Sequence, residues 1–126
     1  MIVRRGEIYW VEFDPVKGSE QGGLRPAVIV QQDIGNQHSA TTVVVAITRT
    51  LPPRSYPFVV VIEPEDSGLP VRSTANCSQI ATIQKDEPGS RLRPWPGEHQ
   101  VRPIGQLSAR KMAEVDRALK YNLGLG

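Results

Sequence analysis

Short apolar runs, broken by turn residues, fill the first two-thirds of the chain. "GEIYWVEF" (residues 6–13) sets Ile8 and Trp10 on one side of an extended strand and Tyr9, Val11 and Phe13 on the other, so both of its faces meet packing. "PAVIVQQ" (26–32), "TTVVVAIT" (41–48) and "PFVVVIEP" (57–64) are β-branched runs bounded by Pro, Gly, Asn and Ser, and "ANCSQIATI" (75–83) adds a fifth strand. Such strands, joined by turns without an intervening helical period, predict a β-rich α+β fold built on a small antiparallel barrel or curled sheet. Residues 84–103, "QKDEPGSRLRPWPGEHQVRP", carry four prolines and several charges and read as an irregular connection. A helix follows in "SARKMAEVDRALKYNLGLG". Ser108 is its N-cap, Leu107 and Met112 occupy the two positions of a hydrophobic staple, Met112, Val115 and Leu119 form the apolar stripe, and Gly124 supplies the left-handed stop.

A length of 126 residues fits one domain spanning 1–126, and 39% apolar with 22% charged residues suits a packed core, not a disordered chain. The net charge of +2 says little, but eleven of the 15 basic residues are arginines. The planar fork of arginine matches phosphate, so this bias points to an anionic partner such as nucleic acid; a GC-rich genome would produce the same bias. Cys77 is the one cysteine, which excludes an internal disulfide, and no metal-ligand spacing surrounds it. Neither a signal peptide nor a membrane span is legible, and the expectation is a soluble cytoplasmic protein.

The common catalytic constellations are missing. His38 and His99 lie in loop-like sequence without a neighbouring nucleophile, so a paired-histidine site requires those two loops to meet. Glu65 and Asp66 in "EPEDSGLP" read as turn chemistry, and "SEQGGLRP" lacks the Gly-Lys-Ser/Thr ending of a phosphate-binding loop. Two strand-edge residues stand out: Arg25, opening the second strand after two glycines, and Thr48, closing the third. By themselves they read more commonly as a solvated end-cap and a plain strand-end hydroxyl.

Taken together, "RGEIYWVEFDPVKGSEQGGLRPAVIVQQD", then "VVVAIT" and later "SQIATI", resemble the MazF/PemK family of toxins from bacterial toxin-antitoxin systems, closely over residues 4–83 and more loosely in the helix from Ser108. The resemblance implies an SH3-like β-barrel with attached helix, a homodimer, and a sequence-specific endoribonuclease that cuts single-stranded RNA without metal or other cofactor and is restrained by a cognate antitoxin with an acidic, disordered tail. Carried over by motif, the catalytic pair is Arg25 of "GGLRP" and Thr48 of "VVVAIT", and the RNA-binding residues are Arg5, Glu20, Gln21, Gly22 and Gln79. Two features depart from the family pattern: Ser78 stands where an acidic residue often precedes the glutamine, and the stretch from Asp86 to Pro103 is longer. A same-fold gyrase-poisoning toxin depends on a Trp-Gly-Ile end, whereas this sequence ends "NLGLG". A non-catalytic nucleic-acid-binding barrel is the other alternative; it would keep a basic groove but gain nothing from pairing Arg25 with Thr48.

Overall fold

A computed structural model of the protein describes residues 2–14 and 23–126. Its elements are β1 (Glu7–Phe13), β2 (Gly23–Ile29), α1 (Asp33–His38), β3 (Thr41–Thr48), β4 (Val59–Ile62), α2 (Pro64–Ser67), β5 (Ser73–Gln84), β6 (Leu92–Arg93), β7 (Gly105–Gln106) and α3 (Ala109–Leu123). The strands pair in the order β4-β5-β3-β2-β1-β6, antiparallel wherever they pair, with β7 also on β1. One backbone hydrogen bond, from Arg91 N–H to Gln84 O at 2.8 Å, carries the chain beside β6 across to the end of β5, so the sheet curls back on itself.

Alternation along β1 sorts its residues between two cores. Ile8 joins Val28, Val45, Ile62 and Cys77 in one cluster, closed by Leu107, Val115 and Ala118 from α3 and the residue before its cap. Tyr9 and Val11 join Ala27, Ile29, Val44, Ile83 and Leu92 in the other, against Val3 and the half-buried Val101. Both faces of β1 are therefore packed, as its sequence predicts.

The helix α3 starts and stops where its sequence sets it. Ser108 Oγ accepts from Lys111 N–H at 3.2 Å, and Gly124 takes φ 70°. Its dock is polar as well as apolar. Asp66, in α2, accepts from Ser108 Oγ at 3.0 Å and from Arg110 at 2.9 and 3.1 Å. Burial works to raise the Asp66 pKa, but those hydrogen bonds and the charges of Arg110 and Lys111 outweigh it and hold the carboxyl below the usual aspartate range. Beside it, a Cβ on Gly105 would collide with the Ser67 carbonyl, which is why β7 can pass so close to α2.

Several elements differ from the sequence expectation. Helix α1 forms where none is predicted, organised by the buried side chain of Asn36, whose Oδ1 accepts from Gln31 Nε2 at 3.0 Å and Thr42 Oγ1 at 2.7 Å. "EPEDSGLP" is a single helical turn with Asp66 buried, not merely a loop. The Pro-rich connection contributes β6, paired to β1 through Val11↔Leu92 and Trp10↔Arg93.

Candidate active site

The site begins with a missing proton. Pro26 has no N–H, so it cannot donate to a ladder. Strand β2 stays paired with β1 along its whole length, from Ile8↔Val28 to Phe13↔Gly23, but pairs with β3 only through Ala27↔Ala46, Val28↔Val45 and Ile29↔Val44. Beyond Ala27 the two strands part. If that register is carried two residues further, Arg25 comes opposite Thr48.

The fork opens into a cleft of about 570 Å³ whose lining includes Trp10, Arg25, Thr48, Arg49, Thr50 and Ser73. Among the described residues that line it there are two arginines and no carboxylate. Thr48 is held from the opposite side by its pairing with Thr74 of β5. Its Oγ1 accepts from Thr50 N–H at 3.2 Å, and Thr74 Oγ1 donates to Thr50 O at 3.1 Å, clamping the turn that leaves β3. The contact from Thr50 takes one of the two acceptor lone pairs of the Thr48 hydroxyl and does not use its proton.

A second cleft, of about 440 Å³, adjoins the first along β3: Ala46 lines it, two residues before Thr48. At its Gln79 end β5 does not follow β3 evenly. The pairing jumps from Val45↔Ile80 to Ile47↔Ala75, and Asn76 fastens the resulting bend by accepting from Ser78 N–H at 3.0 Å and Ser78 Oγ at 2.6 Å. Gln79 leaves that bend exposed and lines the second cleft with Phe13, Gln84 and Arg91.

Arg5 is placed elsewhere. Its N–H donates to Asp33 Oδ1 at 2.7 Å, its Nε to Val30 O at 2.9 Å, and its Nη2 to Asp116 of α3, so it fastens the chain before β1 to the helix and lines a different cleft. Glu20, Gln21 and Gly22 lie outside the described residues. The two histidines are apart from both clefts, His38 ending α1 and His99 in the connection between β6 and β7. Burial, and then the charge of Asp116, push the Cys77 thiol up to about 11, which makes it a poor nucleophile at neutral pH. Trp10, Arg49, Ser73 and Arg91 line the clefts without having been singled out in the sequence. Arg49 carried one signal, adjacency to Thr48, whereas Ser73 and Arg91 depend on pairing across strands.

A curled antiparallel sheet with a C-terminal helix is the architecture of the MazF-like structures. The family of PemK-like, MazF-like toxins of type II toxin-antitoxin systems matches residues 4–123, and the chain belongs to it. It is similar to an endoribonuclease from a mycobacterial species solved in complex with its cognate antitoxin, at 27% identity and TM-score 0.72 over 98% of this chain and 97% of that one. A second mycobacterial endoribonuclease is similar at 26% identity and TM-score 0.70, over 98% and 93%. MazF from Deinococcus radiodurans shares the fold, at 22% identity and TM-score 0.73 over 98% of each chain.

Proposed function

We propose that the protein is the endoribonuclease toxin of a toxin-antitoxin pair and cleaves single-stranded RNA in the cytoplasm, with Arg25 and Thr48 acting on the scissile phosphate. The observation that carries this reading is the fork between β2 and β3, which sets a guanidinium and a hydroxyl on the wall of one cleft. RNA brings its own nucleophile. The 2′-oxygen bonds to phosphorus, the bond from phosphorus to the 5′-oxygen breaks, and the 2′-hydroxyl proton is lost while the 5′-oxygen gains one, leaving a 2′,3′-cyclic phosphate and a 5′-hydroxyl. The protein's task is to align the three oxygens and stabilise the charge of the five-coordinate phosphorus. Arg25 suits that role because its fork spans two non-bridging oxygens and stays charged. Thr48 donates to one of them or orients the 2′-hydroxyl. The substrate is single-stranded because an unpaired backbone can turn the 2′-oxygen into line with the leaving oxygen.

As a toxin, the protein has an antitoxin as its partner. The proposed mode is an extended acidic segment that lies over the same basic cleft and excludes RNA, on a homodimer of this chain. Incubation with a long mixed-sequence RNA in EDTA tests the reaction. Cleavage to cyclic-phosphate and 5′-hydroxyl ends is expected, with loss of cutting when the ribose on the 5′ side of the scissile phosphate is replaced by deoxyribose. A strict need for added Mg²⁺, or continued cutting of the deoxy substrate, would remove the metal-free 2′-hydroxyl mechanism.

A further inference from the structure

The chemistry above engages the first cleft and not the second, where Gln79 lies. Its lining combines an aromatic ring, Phe13, with groups of opposite hydrogen-bonding sense: Arg91, which only donates, and Glu12 and Asp14, which only accept. Gln84 donates its amide nitrogen to Asp86 O at 3.2 Å, so its amide oxygen is left to accept. Arg91 is fixed by its backbone on both sides, its N–H on Gln84 O and its carbonyl accepting from Glu12 N–H, each at 2.8 Å. Its Nη2 meets Asp14 Oδ1 at 2.7 Å, which sets a guanidinium and a carboxylate side by side on the cleft. Along β3 the clefts are two residues apart, about 7 Å in an extended strand, so a base in the second belongs to a nucleotide flanking the phosphate in the first.

Building on the RNA-cleaving function proposed above, we propose that the second cleft holds an unpaired guanine flanking the cut and that Arg91 is the residue that selects it. Guanine presents two adjacent acceptors, O6 and N7, to a guanidinium fork, and two donors, N1–H and N2–H, to a carboxylate. Adenine puts an amino group where the fork needs O6, and pyrimidines have no N7. Phe13 supplies the stacking surface on which single-stranded bases are held. Selection thus comes in part from the Pro-rich stretch that departs from the family pattern, since Arg91 lies within it.

The test maps cut sites of the parent protein, Arg91→Ala and Arg91→Lys on a randomised RNA. Parent sites are expected to share a guanine at one flanking position, and Arg91→Ala should lower the preference there by about ten- to a hundredfold while leaving the other positions and the melting temperature unchanged. Replacing that guanine by 7-deazaguanine should slow the parent and leave Arg91→Ala no slower. Arg91→Lys keeps the charge without the fork and should lose most of the same preference, which covers the case in which the alanine variant fails to fold. A folded Arg91→Ala with the parent cut-site pattern overturns the proposal, as does the absence of a shared guanine. Anisotropy of labelled oligonucleotides carrying deoxyribose at the cut separates this idea from the reaction itself. Binding that needs guanine and Arg91 upholds the pocket even if no RNA is cut, whereas binding indifferent to guanine overturns it even if RNA is cut.

Discussion

Arginines meet two different fates on the two sides of this molecule. Around α3 they stand on carboxylates: Arg5 on Asp116, Arg110 on Asp66. In the fork between β2 and β3, Arg25 and Arg49 line a cleft with the hydroxyls of Thr48, Thr50 and Ser73 and no lining carboxylate among the described residues. The first arrangement ties a helix to the sheet through ion pairs; the second gathers two guanidiniums and three hydroxyls on the wall of one cleft. Sequence proximity does not distinguish them, because Arg5 pairs 111 residues away and Arg110 pairs 44 residues away. What distinguishes them is the set of side chains that the sheet register gathers around each.

Substitutions that separate the two sides sharpen this contrast, and ones that mix them would break it. Arg25→Ala should cost about 3 kcal/mol of transition-state stabilisation, a hundredfold or more in single-turnover cleavage by the folded protein. Arg25→Lys should recover only part of it, for want of the bidentate fork, and Thr48→Ala should be impaired comparably or less. Parent-like cutting by both alanine variants would dissolve the distinction.

On the helix side the expected losses are of stability. Gly105→Ala forces β7 away from the Ser67 carbonyl and should cost about 1–3 kcal/mol in denaturant unfolding, with the cleavage rate of the folded fraction preserved. Asp116→Ala removes one of the Arg5 anchors, a partly exposed ion pair, and should cost about 0.5–1 kcal/mol in the same measurement. Arg5→Ala is the crossing case: a loss of RNA affinity without a loss of stability would move Arg5 to the RNA face.

The smallest effect is in pH dependence. The folded pKa of Asp66 is depressed, so its contribution to stability is complete above the unfolded value of about 3.9 and is lost as pH falls through the lower folded value. Asp66→Asn should therefore show a flatter decline of its urea midpoint in acid than the parent. Identical slopes would mean that Asp66 is not held by its charge.

What was legible in the sequence follows from the range of the forces involved. Strand β3 matches its predicted span of 41–48, β1 differs by one residue at its start, and α3 begins at the predicted cap, because alternation, β-branching and capping are local. Strand β2 was expected at 26–32 and lies at Gly23–Ile29. Proline reads locally as a strand start, whereas pairing with β1 draws the strand back to Gly23. Helix α1 escaped notice because six residues are too few to show a period and its organiser, Asn36, works through Gln31 and Thr42. Strands β6 and β7 are two residues each and exist only through their partner β1. The proposed pair, Arg25 and Thr48, was visible as two strand ends, but their shared cleft was not, since register is a property of the sheet.

Pro26 has one more effect, on the energetics of recognition. A groove formed by a mobile loop must be ordered each time a ligand binds, and that ordering subtracts from affinity. The separation of β2 from β3 instead follows from a covalent feature, an amide that has no hydrogen, and it is present before any ligand arrives. Strand β1 holds one prong through Val11↔Arg25 and β5 holds the other through Thr48↔Thr74. The conformational entropy of separating β2 from β3 is spent during folding, so the RNA strand or antitoxin segment proposed to enter the fork would find these two strands already apart.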